Sequence, residues 1–176
     1  MSDTDLIDLI DENDFAIGLV SRKEMRSKNL LHRVCHFFVF NKSGDIFITK
    51  RSPKKDYSPG LWEIGQGGVL NAGESYLESA KRELFEELGL SENLDFLFMT
   101  KFLGDKTRFV CAVYSLSTDN LPKFNDGEVI EGKFISFDDL MSLISSSPEQ
   151  FTKDSLALYQ EFRSKVTQTN CKSGAV

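Results

Sequence analysis

Apolar residues in this chain gather in runs of strand length separated by polar turns, and one segment carries a helical period. Phe15 to Val20 reads as a first strand. A basic connection follows, Ser21 to Arg33, in which Arg22, Lys23, Arg26, Lys28 and Arg33 stand against Glu24 alone. Val34 to Phe40 and Ile46 to Thr49 are two more strand-like runs. The longest apolar streak, Cys35 to Phe40, is broken only by His36 and suits a buried strand. Between the two runs, Asn41-Lys42-Ser43-Gly44-Asp45 has the Asn and Gly of a hairpin turn.

A second basic stretch, Lys50 to Lys55, leads through the turn Ser58-Pro59-Gly60 into Leu61-Trp62-Glu63-Ile64 and the glycine-rich Gly65-Gln66-Gly67-Gly68. Ser75 to Leu88 is the strongest helix. Ser75 and Glu78 spell a capping box, Gly89 stands where a helix takes its left-handed stop, and Leu77, Ala80, Leu84 and Leu88 form an apolar stripe. Phe96 to Phe102, Arg108 to Leu116 and Val129 to Phe137 read as further strands, and Asp138 to Ile144 and about Thr152 to Val166 as helices. Strands interleaved with a mid-chain helix and terminal helices predict the α/β class, a mixed β-sheet in an α/β/α sandwich.

Composition narrows the function. The chain has 176 residues, enough for one domain, with 40% hydrophobic and 27% charged residues, which excludes wholesale disorder. Its 21 Lys and Arg against 27 Asp and Glu give a net charge of −6, the wrong sign for a nucleic-acid surface. Fifteen Phe point to an aromatic-rich core or pocket. Cys35, Cys111 and Cys171 are odd in number and widely spaced, as reduced thiols of an intracellular chain would be. The first residues are acidic and lack a signal peptide's pattern, and no window approaches a membrane span. We therefore expect a flexible segment over 1–13, one domain over 14–166, a fraying tail over 167–176, a cytoplasmic setting, and neither a nucleic-acid polymer nor a membrane as partner.

The mid-chain helix carries the chemistry. Glu83, Glu86 and Glu87 fall within roughly a 100° arc, being i,i+3 and i,i+4 neighbours. Such clustering costs about 0.2–0.5 kcal/mol per like-charged pair on an exposed helix, a cost offset when a hard divalent cation sits among the oxygens. The spacing of Gly68, Glu74, Arg82-Glu83-Leu84, Glu86-Glu87 and Gly89-Leu90 reproduces Gx5Ex7REUxEExGU, with U aliphatic, at every fixed position. By average residue frequencies, chance would give this on the order of 10⁻⁷ times per chain of this length. The chain resembles the Nudix hydrolases, with its Nudix box over 68–90.

That resemblance implies the Nudix fold and a Mg²⁺- or Mn²⁺-dependent hydrolase that cleaves a diphosphate linkage in a nucleoside diphosphate-X or related small molecule. It implies Glu83 and Glu87 as metal ligands, with Glu86 a third ligand or a water-mediated one. Gly68, Glu74, Arg82 and Gly89 would be structural, Glu74 and Arg82 as an ion pair bracing the loop before the helix. The catalytic base is expected at Glu86 or at Glu128, the latter in Asp126-Gly127-Glu128-Val129 just before the last strand. Arg51 is placed to clamp a phosphate. Lys54 and Lys55 read equally as a solvated loop, and Trp62 either stacks on a base or fills the core. Dimers are frequent in the family, so a homodimer is possible here.

From about Gly18 to Phe151, and in runs such as Leu31-His32-Arg33 and Pro59-Gly60-Leu61-Trp62, the chain is similar to the isopentenyl-diphosphate isomerase branch of the superfamily. Isomerisation is therefore an alternative, as is a non-catalytic nucleotide-binding domain. Against the isomerase stand Gly67 at its catalytic Cys position, Met25, His32 and Val69 at its metal-binding His positions, and Thr107 and Phe109 at its Glu positions.

Overall fold

The computed structural model describes residues 3–55, 57–124 and 127–173, and their elements follow in the order β1 (Leu6–Ile10), β2 (Ala16–Ser21), α1 (Arg22–Ser27), β3 (Leu31–Phe40), β4 (Ile46–Arg51), β5 (Trp62–Ile64), β6 (Gln66–Val69), α2 (Tyr76–Leu88), β7 (Asp95–Leu103), β8 (Arg108–Ser117), β9 (Val129–Ile135), α3 (Phe137–Ser146), a 3₁₀ turn (Pro148–Gln150) and α4 (Lys153–Ser173). β1 and β2 pair as a separate antiparallel hairpin. The other seven strands form one mixed sheet in the order β5-β4-β3-β8-β7, with β6 also on β3 and β9 also on β4. Its parallel pair is β3 with β8, matched from Leu31–Arg108 to Phe40–Ser117.

β3 is apolar along most of its length because both of its faces are covered. Cys35, Phe37 and Val39 pack with Ala80, Leu84 and Leu88 of α2. The alternate residue Phe38 joins Ile48, Ile64, Leu140 of α3, and Leu158 and Tyr159 of α4. The same alternation splits β8, with Ala112, Tyr114 and Leu116 on the α2 side and Phe109, Cys111 and Val113 on the other. The expected α/β/α sandwich follows from these two faces.

The expected hairpin turn forms, with Gly44 at φ +85° and its N–H donating to Asn41 O at 3.0 Å. The strands it joins then part. Only Phe40 and Ile46 are register partners, after which β3 pairs with β6 and β8 while β4 pairs with β5 and β9. The two strands make a fork closed at Phe40–Ile46 and open toward Val34 and Arg51. Beyond β5 the chain crosses from one prong to the other at Gly65 (φ +82°), where an added Cβ would lie 2.6 Å from His36 Nε2. Between the prongs, Gln66 Nε2 donates to Thr49 Oγ1.

The ends of the chain correct the sequence reading. Residues 1–13 were expected to be flexible, yet Leu6–Ile10 is a strand with Ile7 and Ile10 buried. Arg33 fastens this hairpin, donating from Nε to Asp14 Oδ1 at 2.7 Å and from Nη1 to Asp8 Oδ2 at 3.1 Å. The basic connection folds as α1, capped where Ser21 Oγ accepts the Glu24 N–H at 3.2 Å. α4 continues to Ser173, past the expected boundary at 166, while residues 174–176 of the expected tail lie outside the described residues. Leu77 leaves the apolar stripe of α2 and is 40% exposed. Trp62 fills the core, with Lys50 and Lys133 over its ring at 5.6 and 5.1 Å. Among the described residues no helix is long and apolar enough to cross a membrane.

Ile10 packs with Leu31 and Val110 under the β1–β2 hairpin. Ile10→Ala should lower unfolding free energy by about 2–4 kcal/mol. Urea unfolding measures this, and a dispensable N-terminal segment would show no change.

Candidate active site

α2 is held at both ends and along one face. Ser75 Oγ accepts the Glu78 N–H while Glu78 Oε2 accepts the Ser75 N–H, and Gly89 (φ +64°) closes the last turn. With Ala80, Leu84 and Leu88 fully buried, the helix cannot rotate, and Glu83 and Glu87 are fixed beside that apolar face, each only 6% exposed. The Glu86 side chain is half exposed at the rim. β6 lies directly against Glu83, and a Cβ on Gly68 would stand 2.1 Å from Glu83 Oε1. Burial pushes the Glu83 carboxyl above its ordinary range, against the pull of Arg82.

Arg82 braces the loop before α2 as the sequence suggested. It donates from Nε to Glu74 Oε1 at 2.8 Å and from Nη2 to Glu74 Oε2 at 2.9 Å, while Glu74 also accepts the Asn71 N–H. Burial raises the Glu74 carboxyl, but these hydrogen bonds bring it below its ordinary value. Arg82 does more than brace. Its Nη1 donates to Glu83 Oε1 at 2.7 Å and to Glu86 Oε2 at 3.2 Å. Turned toward this guanidinium, the acids are not gathered on one point: no three Asp, Glu, His or Cys side chains among the described residues converge as a cation cage.

These acids open onto a cavity of about 490 Å³, of the size that takes a small-molecule ligand. Glu83, Glu86 and Glu87 line it from α2, and Arg51 and Glu128 line it from the other prong of the fork. The structure therefore brings every expected metal-binding, catalytic and substrate-binding residue to one cavity. Arg51 is oriented by its own partners, donating from Nη1 to Glu63 Oε2 at 2.7 Å and from Nε to Tyr57 O at 3.1 Å. Glu128 is ion-paired with Lys55, so Lys55 belongs to the cavity wall and is not a solvated loop residue. Asp126 lies outside the described residues.

Other charged cavity residues escaped the sequence reading. Arg22 and Arg26, one turn apart on α1, face the cavity, as does Asp154 in the first turn of α4. The Ser21-Arg22-Lys23-Glu24 spelling of a helix start was the signal for α1. An acid in a first helical turn ordinarily complements the helix dipole, which conceals the position of Asp154.

The positions at which the isomerases carry their chemistry also face this cavity, and here they hold Met25, His32, Gly67, Val69, Thr107 and Phe109. Gly67 admits no side chain on this backbone, because a Cβ there would lie 2.0 Å from Cys35 O. Cys35 is buried, and burial, reinforced by Glu83, pushes its thiol up to about 12. His36 Nε2 stands 3.0 Å from Ile64 O, and burial pushes its imidazole down to about 4.

Known proteins share this architecture. The NUDIX domain profile matches residues 30–162. An uncharacterised Nudix hydrolase of Pseudomonas aeruginosa is 35% identical over 136 residues, covering 76% of this chain and 80% of that protein. An isopentenyl-diphosphate Delta-isomerase of Pectobacterium atrosepticum is 32% identical over 149 residues, covering 82% and 83%. Among solved structures, DR0079 from Deinococcus radiodurans superposes with a TM-score of 0.75 at 28% identity, covering 89% of this chain and 98% of that one.

Two measurements check this site. Arg82→Ala removes the partner of a partly buried carboxylate and should lower stability by up to several kcal/mol along with activity; unchanged melting would leave Arg82 no bracing role. The second concerns acid. His36 is neutral in both states above its unfolded value of 6.5, but as pH falls the unfolded chain takes a proton that the fold refuses. Stability should therefore drop by on the order of 2 kcal/mol from this imidazole between about pH 6.5 and 5. His32, driven to about 4 mainly by burial, adds to the drop. Urea midpoints across that window should slope less in His36→Gln, and equal slopes would refute the assignment.

Proposed function

The chain belongs to the Nudix hydrolase family, and from that premise we propose that it is a divalent-cation-dependent hydrolase of a diphosphate linkage in a small molecule. One observation carries this reading: Glu83 and Glu87 are buried in the lining of a cavity whose wall also carries Arg51, Lys55 and Arg22. Anionic ligand oxygens would be attracted to those basic side chains and repelled by the α2 acids, unless a cation lies between the acids and the ligand.

The residues suit Mg²⁺ or Mn²⁺. Carboxylate oxygens are the hard donors such ions prefer, and the missing Cβ of Gly68 leaves the Glu83 carboxylate its place against β6. Glu83 and Glu87 would hold the ion, with Glu86 joining from the rim. Bound there, it would neutralise phosphate charge and make water more acidic. Arg51, fixed by Glu63, presents its remaining N–H groups to a phosphate without first losing side-chain freedom. Glu128, oriented by Lys55, is the carboxylate we assign as base toward the attacking water. The isomerase alternative has against it the closed position at Gly67 and the side chain of Phe109, neither of which can carry a proton.

The test is a panel of nucleoside diphosphate sugars, dinucleoside polyphosphates, CoA, NADH, ADP-ribose and isopentenyl diphosphate, assayed with and without Mg²⁺ and Mn²⁺. Hydrolysis of at least one diphosphate only with metal is expected, with no isomerised product. Glu83→Gln and Glu87→Gln should each cut turnover at least about 10²-fold while the protein still folds, as its circular dichroism would show. Near-wild-type turnover in both variants would overturn the ligand assignment.

A further inference from the structure

The cavity has a second pole, at the start of α4. The Thr152 N–H donates to Trp62 O at 2.9 Å, which ties the first turn of α4 to β5 next to Glu63. Asp154 thereby reaches the cavity wall. Its Oδ1 is buried and accepts no hydrogen bond. Nearby groups do not remedy this. Arg51 gives its Nη1 to Glu63 and its Nε to Tyr57 O, and the Tyr57 hydroxyl, which interacts with Asp154, leaves Oδ1 unmet. A buried acceptor left without a donor costs about 1–3 kcal/mol.

What a ligand must offer here follows from charge. Arg51 feels both Glu87 of α2 and Asp154 of α4, and all three line the cavity, so the acid cluster and Asp154 are both near this guanidinium. A diphosphate engaged by Arg51 therefore has Asp154 within reach of its organic substituent. A further phosphate there would be repelled by Asp154 and Glu63. A hydrocarbon would bury the carboxylate and leave its acceptor unmet. A hydroxyl or amine of the ligand would supply the missing donor to the Asp154 carboxylate.

We infer that Asp154 is a specificity-determining residue that accepts a hydrogen bond from a hydroxyl or amine on the organic part of the diphosphate substrate, so that the site selects a hydroxylated or amino-bearing substituent over a hydrocarbon one. The inference rests on the diphosphate reading above.

Matched pairs test it: ribo- against 2′-deoxyribonucleotides for a sugar hydroxyl, and amino- against oxo-bases for an amine, each within the best substrate class of the panel. Wild type should favour the donor-bearing member of at least one pair by about 10²-fold or more in kcat/KM. In Asp154→Ala that ratio should fall to within about 3-fold, with Asp154→Asn, which keeps an acceptor oxygen, in between. An equal loss on both members, with the ratio preserved, would make Asp154 merely structural and overturn the inference. A raised Mn²⁺ dissociation constant in Asp154→Ala, with the ratio preserved, would overturn it in favour of a cation role. Were no panel member hydrolysed, the diphosphate reading would fail separately. The same pairs, read by thermal shift on wild type and Asp154→Ala, would still decide, since equal shifts in both proteins overturn the donor contact.

Discussion

Glu83 rests on a strand that has no side chain beneath it. The helix can bring a carboxylate that close to β6 only because Gly68 is bare, and the geometry leaves no tolerance, with a hypothetical Cβ 2.1 Å from Glu83 Oε1. Much of the site accommodates this contact. Ala80, Leu84 and Leu88 lock the rotation of α2, Gly89 ends it in register, and Arg82 takes up part of the charge that burial makes unfavourable. A buried carboxylate without such a partner would cost several kcal/mol or protonate. The Nudix pattern is thus one packing solution written across 23 positions, and its fixed residues serve one another before they serve a substrate.

This explains what could be read in advance. The α2 helix, its caps and the Glu74–Arg82 brace are local in sequence, so spacing alone conveys them. The two-sided burial of β3 is visible in its apolar run Cys35 to Phe40, broken only by His36. Other features depend on distant partners. β1 lies in an acidic stretch of sequence, and its Asp8, with Asp14 in the following turn, pairs with Arg33, more than twenty residues beyond the strand. Leu77 fits the helical stripe by period but falls beyond the area that β3 and β8 cover. Asp154 looks like an ordinary first-turn acid until the Thr152–Trp62 hydrogen bond places it at the cavity.

The charge of the cavity is organised in committed pairs. Arg51 with Glu63 and Lys55 with Glu128 on the wall, and Arg82 with Glu74 in the loop beside it, each fix a long side chain at a defined place. Such pairs contribute little to stability once desolvation is counted, so their value here is positional. They leave a cavity wall that carries both signs, five Lys and Arg against seven Asp and Glu. The overall charge of −6, which argued against nucleic acid, does not reveal where on that wall the cations stand.

The parting of β3 from β4 gives the cavity its dimensions. A continuous sheet would hold these neighbours about 4.8 Å apart along their whole length. Here one rung, Phe40–Ile46, serves as a pivot, and Arg51 sits at the far tip of one arm while the strands supporting α2 belong to the other. Leverage follows from that arrangement. Neither pivot residue lines the cavity, so a change in side-chain volume there would act on the gap between the Arg51 guanidinium and the α2 carboxylates only through the two arms. Variation at Phe40 and Ile46 offers such a protein a way to widen or narrow its reach while every residue of the Nudix pattern stays unchanged.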